Sequence, residues 1–209
     1  MVEKYNIILW DFDGVILDSM PIRDLGFVKV LEQEGHREDD IDALLAYHRM
    51  NGGLSRYVKF RYFYEQILHT SVTDEEILRL ANLFSSIMLN LLVDSKLLIL
   101  DAVSFIRANA SKYRFHIVSG SDGAELNKIC DGLGLTSYFH SIEGSPTPKK
   151  ELVANLIRKY KYSLSEICLI GDSINDYEAA EVNGIDFLGY NNPDLITRSY
   201  YINTFNPSR

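Results

Sequence analysis

Ile7-Ile8-Leu9-Trp10-Asp11-Phe12-Asp13-Gly14-Val15-Ile16-Leu17-Asp18-Ser19 is an apolar run that ends on two carboxylates. On an extended backbone the side chains of residues i and i+2 point to one side, so Asp11 and Asp13 converge just past the end of a buried strand. Two acids in one small site imply a metal or a division of catalytic labour. Gly14 permits the sharp turn that lets a ligand approach the backbone closely. A helix-loop-helix calcium site fits poorly: such a loop follows a helix and ends on a bidentate glutamate at its twelfth position, where this chain has Ile22. An ordinary strand exit with solvated aspartates fits the same residues, and the rest of the chain must decide.

The chain has 209 residues, enough for one full core and a small accessory module. A net charge of −8 and 46% hydrophobic residues describe a mildly acidic globular protein with no bias toward nucleic acid. No apolar run reaches membrane-spanning length and the N-terminus enters a strand directly, without the regions of a signal peptide, so no membrane partner and a cytoplasmic location are expected. Cys130 and Cys168 lie in apolar periodic segments and read as buried thiols. His36, His48, His69, His116 and His140 show no metal-ligand spacing and read as structural or surface residues.

Asn6 to Trp10, Phe115 to Val118, Ile167 to Ile170 and Ile185 to Leu188 are short apolar runs of the kind strands show when covered on both faces. Amphipathic helices lie between them. Asp122 and Glu125 form a capping box before the stripe Leu126, Ile129, Cys130 and Leu133, and a second helix spans about Pro148 to Tyr160. Alternating strand and helix predict an α/β fold, a doubly wound parallel sheet of the Rossmann-like kind. Residues 19–92 break the alternation. They hold a capping box at Thr73 and Glu76, followed by Ile77, Leu80, Ala81, Phe84, Ile87, Met88 and Leu91 at helical spacing, and predict an α-helical insertion. The expected organisation is a core of residues 1–18 and 93–209 with a helical cap of residues 19–92.

Ligands of open parallel sheets bind beyond the carboxyl ends of the strands. Those ends carry Asp11 and Asp13, then Ser119, Gly120, Ser121 and Asp122, then Gly171, Asp172, Ser173, Asn175 and Asp176. So many carboxylates in one crevice are costly without a cation, and hard oxygen ligands favour Mg2+. The turn-rich stretch Gly144 to Pro148 leads into Lys149 and Lys150, either of which can face the crevice.

In order and spacing, Asp11 to Gly14, Ser119, the basic segment at Lys149 and Gly171-Asp172 with Asp176 resemble the four motifs of the haloacid dehalogenase superfamily. One departure is Ser145, which stands where many relatives carry the third motif's lysine; Lys149 is the expected functional lysine and Lys150 the alternative. The resemblance implies a Mg2+-dependent phosphatase acting on a small phosphorylated metabolite, a sugar phosphate or a phosphoglycolate-like ester. Asp11 is then the nucleophile that becomes an aspartyl phosphate, and Asp13 the general acid and base. Asp11, Asp172 and the main-chain carbonyl of Asp13 would hold the metal, supported by Asp176 and Ser173. Ser119, Lys149 and backbone N–H groups near Phe12, Asp13 and Gly120 would bind phosphoryl oxygens. In the cap, the suggestive stretch holds Arg49, Gly53, Ser55, Arg56 and Lys59: Arg56 and Lys59 lie on the first helical turn as an anion site, a solvated basic helix face being the alternative, and the Ser55-Arg56 pair resembles the sugar-phosphate loop of β-phosphoglucomutase relatives. The alternatives within the fold are a phosphomutase, a dehalogenase, or a phosphonate hydrolase using Lys29 or Lys59 as a Schiff base. Outside enzymology, the alternative is a non-catalytic binding module.

Overall fold

The computed structural model describes residues 2–206. Its main elements run β1 (Ile7–Trp10), α1 (Met20–Gln33), α2 (Glu38–Met50), α3 (Arg56–Tyr62), α4 (Asp74–Leu92), α5 (Leu100–Asn109), β2 (Arg114–Asp122), α6 (Gly123–Gly132), β3 (Ser141–Ser145), α7 (Lys149–Tyr160), β4 (Ile167–Gly171), α8 (Ile174–Val182), β5 (Asp186–Tyr190) and β6 (Tyr200–Ile202). The strands make one parallel sheet in the order β3-β2-β1-β4-β5-β6. β1 is central, with Ile7 opposite Arg114 of β2 and Ile167 of β4. Both its faces are covered, which explains the unbroken apolar run: Ile8 and Trp10 join one core with Phe115, Ile117 and Leu126, while Ile7 and Leu9 join another with Val153, Leu156 and Leu169. The order reverses at β1, so a crevice opens beyond the ends of β1, β2 and β4.

Two strands, β3 and β6, have no counterpart among the apolar runs. They are the edge strands, and Ser141, Glu143 and Gly144 of β3 are only half-buried, so neither reads as a doubly covered strand. The capping boxes are also only half formed. Asp122 accepts from the Glu125 N–H at 3.0 Å and Thr73 from the Glu76 N–H at 3.2 Å, but the Glu125 carboxylate is taken by Arg23 and Arg56, and that of Glu76 by Arg79. A reciprocal box instead starts α8, between Ser173 and Asp176.

Between β1 and α5 the described residues form helices and no strand of the sheet. α1 and α4 pack through Gly26, where an added Cβ would lie 2.5 Å from Met88 Cε and 2.8 Å from Phe84 Cε2. Phe27, Phe60 and Phe84 fill the space beside this contact. Alanine favours helix over glycine, yet Gly26→Ala is expected to destabilise the protein by about 1–3 kcal/mol through overpacking. Urea denaturation measures the sign, and a gain in stability would contradict the close approach.

Candidate active site

Asp11 follows β1 directly, its N–H donating to the Ile170 carbonyl at 2.9 Å, and its side chain is buried. Carboxylate oxygens of Asp11, Asp172 and Asp176 lie within 4.8 Å of one another. Burial and the nearby Asp176 charge push the Asp11 carboxyl up to about 7, and burial with Asp11 raises Asp172 well above its ordinary value. One cation offsets this. Lys149, at the start of α7, places its Nζ 2.8 Å from Asp11 Oδ1 and against Asp176 Oδ1. Burial opposes its charge, but Asp11 and Asp176 hold its ammonium above the usual lysine range. Lys150, the alternative, is exposed. Asp176 is fixed from its other side, its Oδ2 accepting from Ser173 Oγ at 2.6 Å and Ser173 N–H at 3.0 Å. Three hard carboxylates facing one ammonium, two of them driven toward protonation, suit a divalent cation chemically. Gly14 is needed here for space and conformation: its φ is +78°, and a Cβ would come within 2.0 Å of Asp172 Oδ2.

The Asp13 carboxylate lies outside that cluster. It accepts from Ser19 Oγ, from Arg23 Nε at 3.0 Å and from Ser121 Oγ at 2.5 Å. Burial alone would raise it; the Arg23 charge and the hydroxyl donors outweigh burial and hold it down at about 2. Arg23 continues to Glu125 Oε1 at 2.5 Å, and Arg56 donates to Glu125 Oε2 at 2.6 Å. Arg23 and Glu125 are residues that sequence patterns missed, because each looks like an ordinary charged helix position and their convergence joins segments about a hundred residues apart. Ser119 is buried, with its Oγ accepting from Ser121 N–H at 3.1 Å. Phe12 is fully buried, and its carbonyl accepts from Ile16 and Leu17.

The helices following β1 close over these residues. A Cβ on Gly120 would lie 2.1 Å from the Gly53 carbonyl oxygen, Asn175 Nδ2 donates to the Gly52 carbonyl at 2.6 Å, and Tyr57 OH donates to Asp122 at 2.7 Å. A cavity of about 40 Å3 remains, with Asp11, Asp13 and Ser119 on one wall and Gly53, Arg56 and Lys59 on the other. Arg49 is not there: it is exposed and pairs with Asp24, on an outer cleft. Ser55 caps α3, accepting from Val58 N–H at 3.4 Å. At the start of α3, where an anion site was expected, Arg56 lines the cavity and pairs with Glu125. Lys29 is exposed, leaving Lys59 as the cavity amine of the two. His48, read from sequence as a structural or surface residue, lines the cavity with Nδ1 2.7 Å from Lys59 Nζ.

A parallel sheet with this strand order and an acidic site past its central strand defines a Rossmann-like α/β class. The haloacid dehalogenase-like hydrolase family model matches residues 5–184, and the chain belongs to that family. No curated protein matches the sequence. A structure described as a predicted phosphoglycolate phosphatase from Haemophilus somnus is similar, at TM-score 0.74 and 18% identity over 97% of this chain and 95% of that one. β-Phosphoglucomutase from Clostridium difficile gives 0.75 at 16% identity over 97% and 92%. CbbY from Rhodobacter sphaeroides in complex with phosphate gives 0.75 at 14% identity over 96% and 95%. At these identities the likeness is one of fold. No helix among the described residues is long and apolar enough to cross a membrane.

Lys59 provides a test of this electrostatic setting. Burial pushes it down to about 7, with Arg23 and Arg56 adding repulsion that Asp13 and Asp24 partly offset. Between that value and the unfolded lysine's roughly 10.4 the unfolded chain binds more protons, so this group makes stability rise with pH across that window. The melting temperature of Lys59→Met minus that of the wild type should therefore fall from pH 7 to 10. A pH-independent difference would contradict the buried amine.

Proposed function

We propose that this hydrolase is a Mg2+-dependent phosphatase of small phosphorylated metabolites, working through an aspartyl phosphate on Asp11. The observation that carries the reading is the pairing of buried Asp11 with Lys149, beside the carboxylates of Asp172 and Asp176. Asp11 and Asp172, with the main-chain carbonyl of Asp13, would hold the ion. Bound magnesium supplies the positive charge that lets an anionic nucleophile meet an anionic phosphate.

The residues of the chain divide the remaining work. An Asp11 carboxylate oxygen forms the bond to phosphorus as the bond to the leaving oxygen breaks. Asp13, once freed from the Arg23 and hydroxyl contacts that hold it ionised here, would protonate that oxygen and then take a proton from the water that cleaves the acyl phosphate. Lys149 and Ser119 bind the transferring oxygens, with backbone N–H groups near Phe12 and Gly120 as further donors. Residues 19–92 act as a cap that excludes water and meets the rest of the substrate through Gly53 and Lys59, while Arg49 guides entry from the outer cleft.

One feature favours hydrolysis over phosphoryl transfer to a sugar phosphate: Glu125 already pairs with both arginines that face the cavity, Arg23 and Arg56. The non-catalytic reading is disfavoured because nucleophile, acid, lysine and metal carboxylates all remain. Hydrolysis of p-nitrophenyl phosphate is expected to require magnesium, stop on chelation and fall by at least about 10³-fold in Asp11→Asn. Asp172→Ala should raise the magnesium needed for half-maximal rate. Undiminished turnover in Asp11→Asn would reject the reading, and bisphosphate-dependent isomerisation without phosphate release would replace it with a mutase.

A further inference from the structure

Asn191 and Asn192 follow β5 and reach with their side-chain amides to the two loops that carry the acidic cluster. Asn192 Nδ2 donates to the Asp172 carbonyl at 2.7 Å, and Asn191 Nδ2 to the Gly14 carbonyl at 2.8 Å. The two loops abut: Gly14 follows Asp11, Phe12 and Asp13 past β1, and a Cβ on it would lie 2.0 Å from Asp172 Oδ2. In the sheet β4 separates β5 from β1, so the pair of amides spans the end of β4 to join three strand ends.

Consecutive side chains of an extended chain point to opposite faces, so adjacent asparagines serve one site only if the backbone bends between them. Asn191 supplies the bend. Its φ is +56°, a left-handed conformation that asparagine adopts more readily than most side chains, and one that persists only where surrounding contacts hold it. Asn192 returns to extended backbone, with φ −139° and ψ 103°, the region to which Pro193 restricts the residue before it. Its Oδ1 accepts from the Asp194 N–H at 3.1 Å, which orients the amide with Nδ2 toward Asp172. Leu195, fully buried against the sheet, anchors the segment.

Asp172 depends on its main chain for direction. Asp11 and Asp176 share the Lys149 ammonium, and Ser173 holds Asp176 from its other side. Among the described residues Asp172 joins no ion pair, and its hydrogen-bonded oxygen is the carbonyl, not the carboxylate. Nothing therefore competes with an ion for the carboxylate oxygens, and the backbone alone aims them. Magnesium demands near-ideal octahedral geometry, so the separation of the loops after β1 and β4 decides whether Asp11, the Asp13 carbonyl and Asp172 meet one ion together.

We infer that Asn191 and Asn192 clamp these two loops at the separation a bound divalent ion requires, and so are positioning residues for the metal. The inference rests on the magnesium reading of the acidic cluster. Neither asparagine touches the ion; both act through main-chain carbonyls.

Magnesium binding is titrated by calorimetry in wild type, Asn192→Ala and Asn191→Gly, and each protein is melted in EDTA. Glycine keeps the left-handed backbone at position 191 and removes the amide. Partners that orient metal ligands are commonly worth 10–100-fold in affinity, so the magnesium dissociation constant is expected to rise by about tenfold in each variant. The magnesium concentration that gives half-maximal turnover of p-nitrophenyl phosphate should rise by the same factor. A purely structural role lowers the melting temperature in EDTA and leaves the magnesium affinity of the folded variants at the wild-type value; that result overturns the inference. Weaker binding in one variant and not in the other overturns the two-residue clamp. Asn191→Gly, the milder change, carries the test if Asn192→Ala does not fold. Wild type that takes up no magnesium rejects the magnesium reading itself, and the inference with it.

Discussion

The convergence of Asp11, Asp172 and Asp176 past β1 and β4 is the constraint around which the rest is arranged. Like charges within 4.8 Å, largely removed from water, drive protons onto carboxylates unless cations are supplied. Lys149 supplies one from inside the chain, and hard oxygen donors invite a divalent ion as another. The strands serve this arrangement mechanically. A sheet buried on both faces holds the ends of β1 and β4 rigidly in register, so the acids cannot relax away from one another.

A second group of buried charges answers the first. Asp13, Arg23, Glu125 and Arg56 balance in sign, and each guanidinium is shared between partners. Such a network adds little stability compared with apolar packing, but its geometry is demanding, because a single missing member leaves a charge buried alone. Its members come from the loop after β1, from α1, from α3 and from α6. The helices that close the cavity and the loop that carries Asp13 are therefore bound by one set of contacts. Among the described residues no carboxylate is in direct contact with the amine of the neighbouring Lys59–His48 pair, which is why burial governs it.

How much of this was legible in the chain depended on the range of the interaction. The four buried strands were visible because a doubly covered strand must be apolar at every position, and Asp11, Asp172 and Asp176 were visible because strand ends in a parallel sheet point into one crevice. Gly14 and the start of α7 at Lys149 follow from backbone geometry that neighbouring residues dictate. Edge strands β3 and β6 were not visible, since half-covered strands need no continuous apolar run.

Long-range pairing set the remainder. The choice of Lys149 over Lys150 turns on which side of α7 faces Asp11, and the helix docks by its whole apolar stripe, not by the lysine. Glu125 sits at the correct spacing for a capping box, yet two arginines from remote helices compete more strongly for its carboxylate than a local N–H does. Arg49 and Arg56 are both basic residues of one short segment, but one faces the outer cleft and the other the cavity because the turn at Gly52 and Gly53 separates their helices. Local rules place strands, helix starts and the acids at strand ends, since those depend on the residues beside them. Which charges meet in the cavity depends on how separately formed helices pack, and that information is distributed over the whole chain.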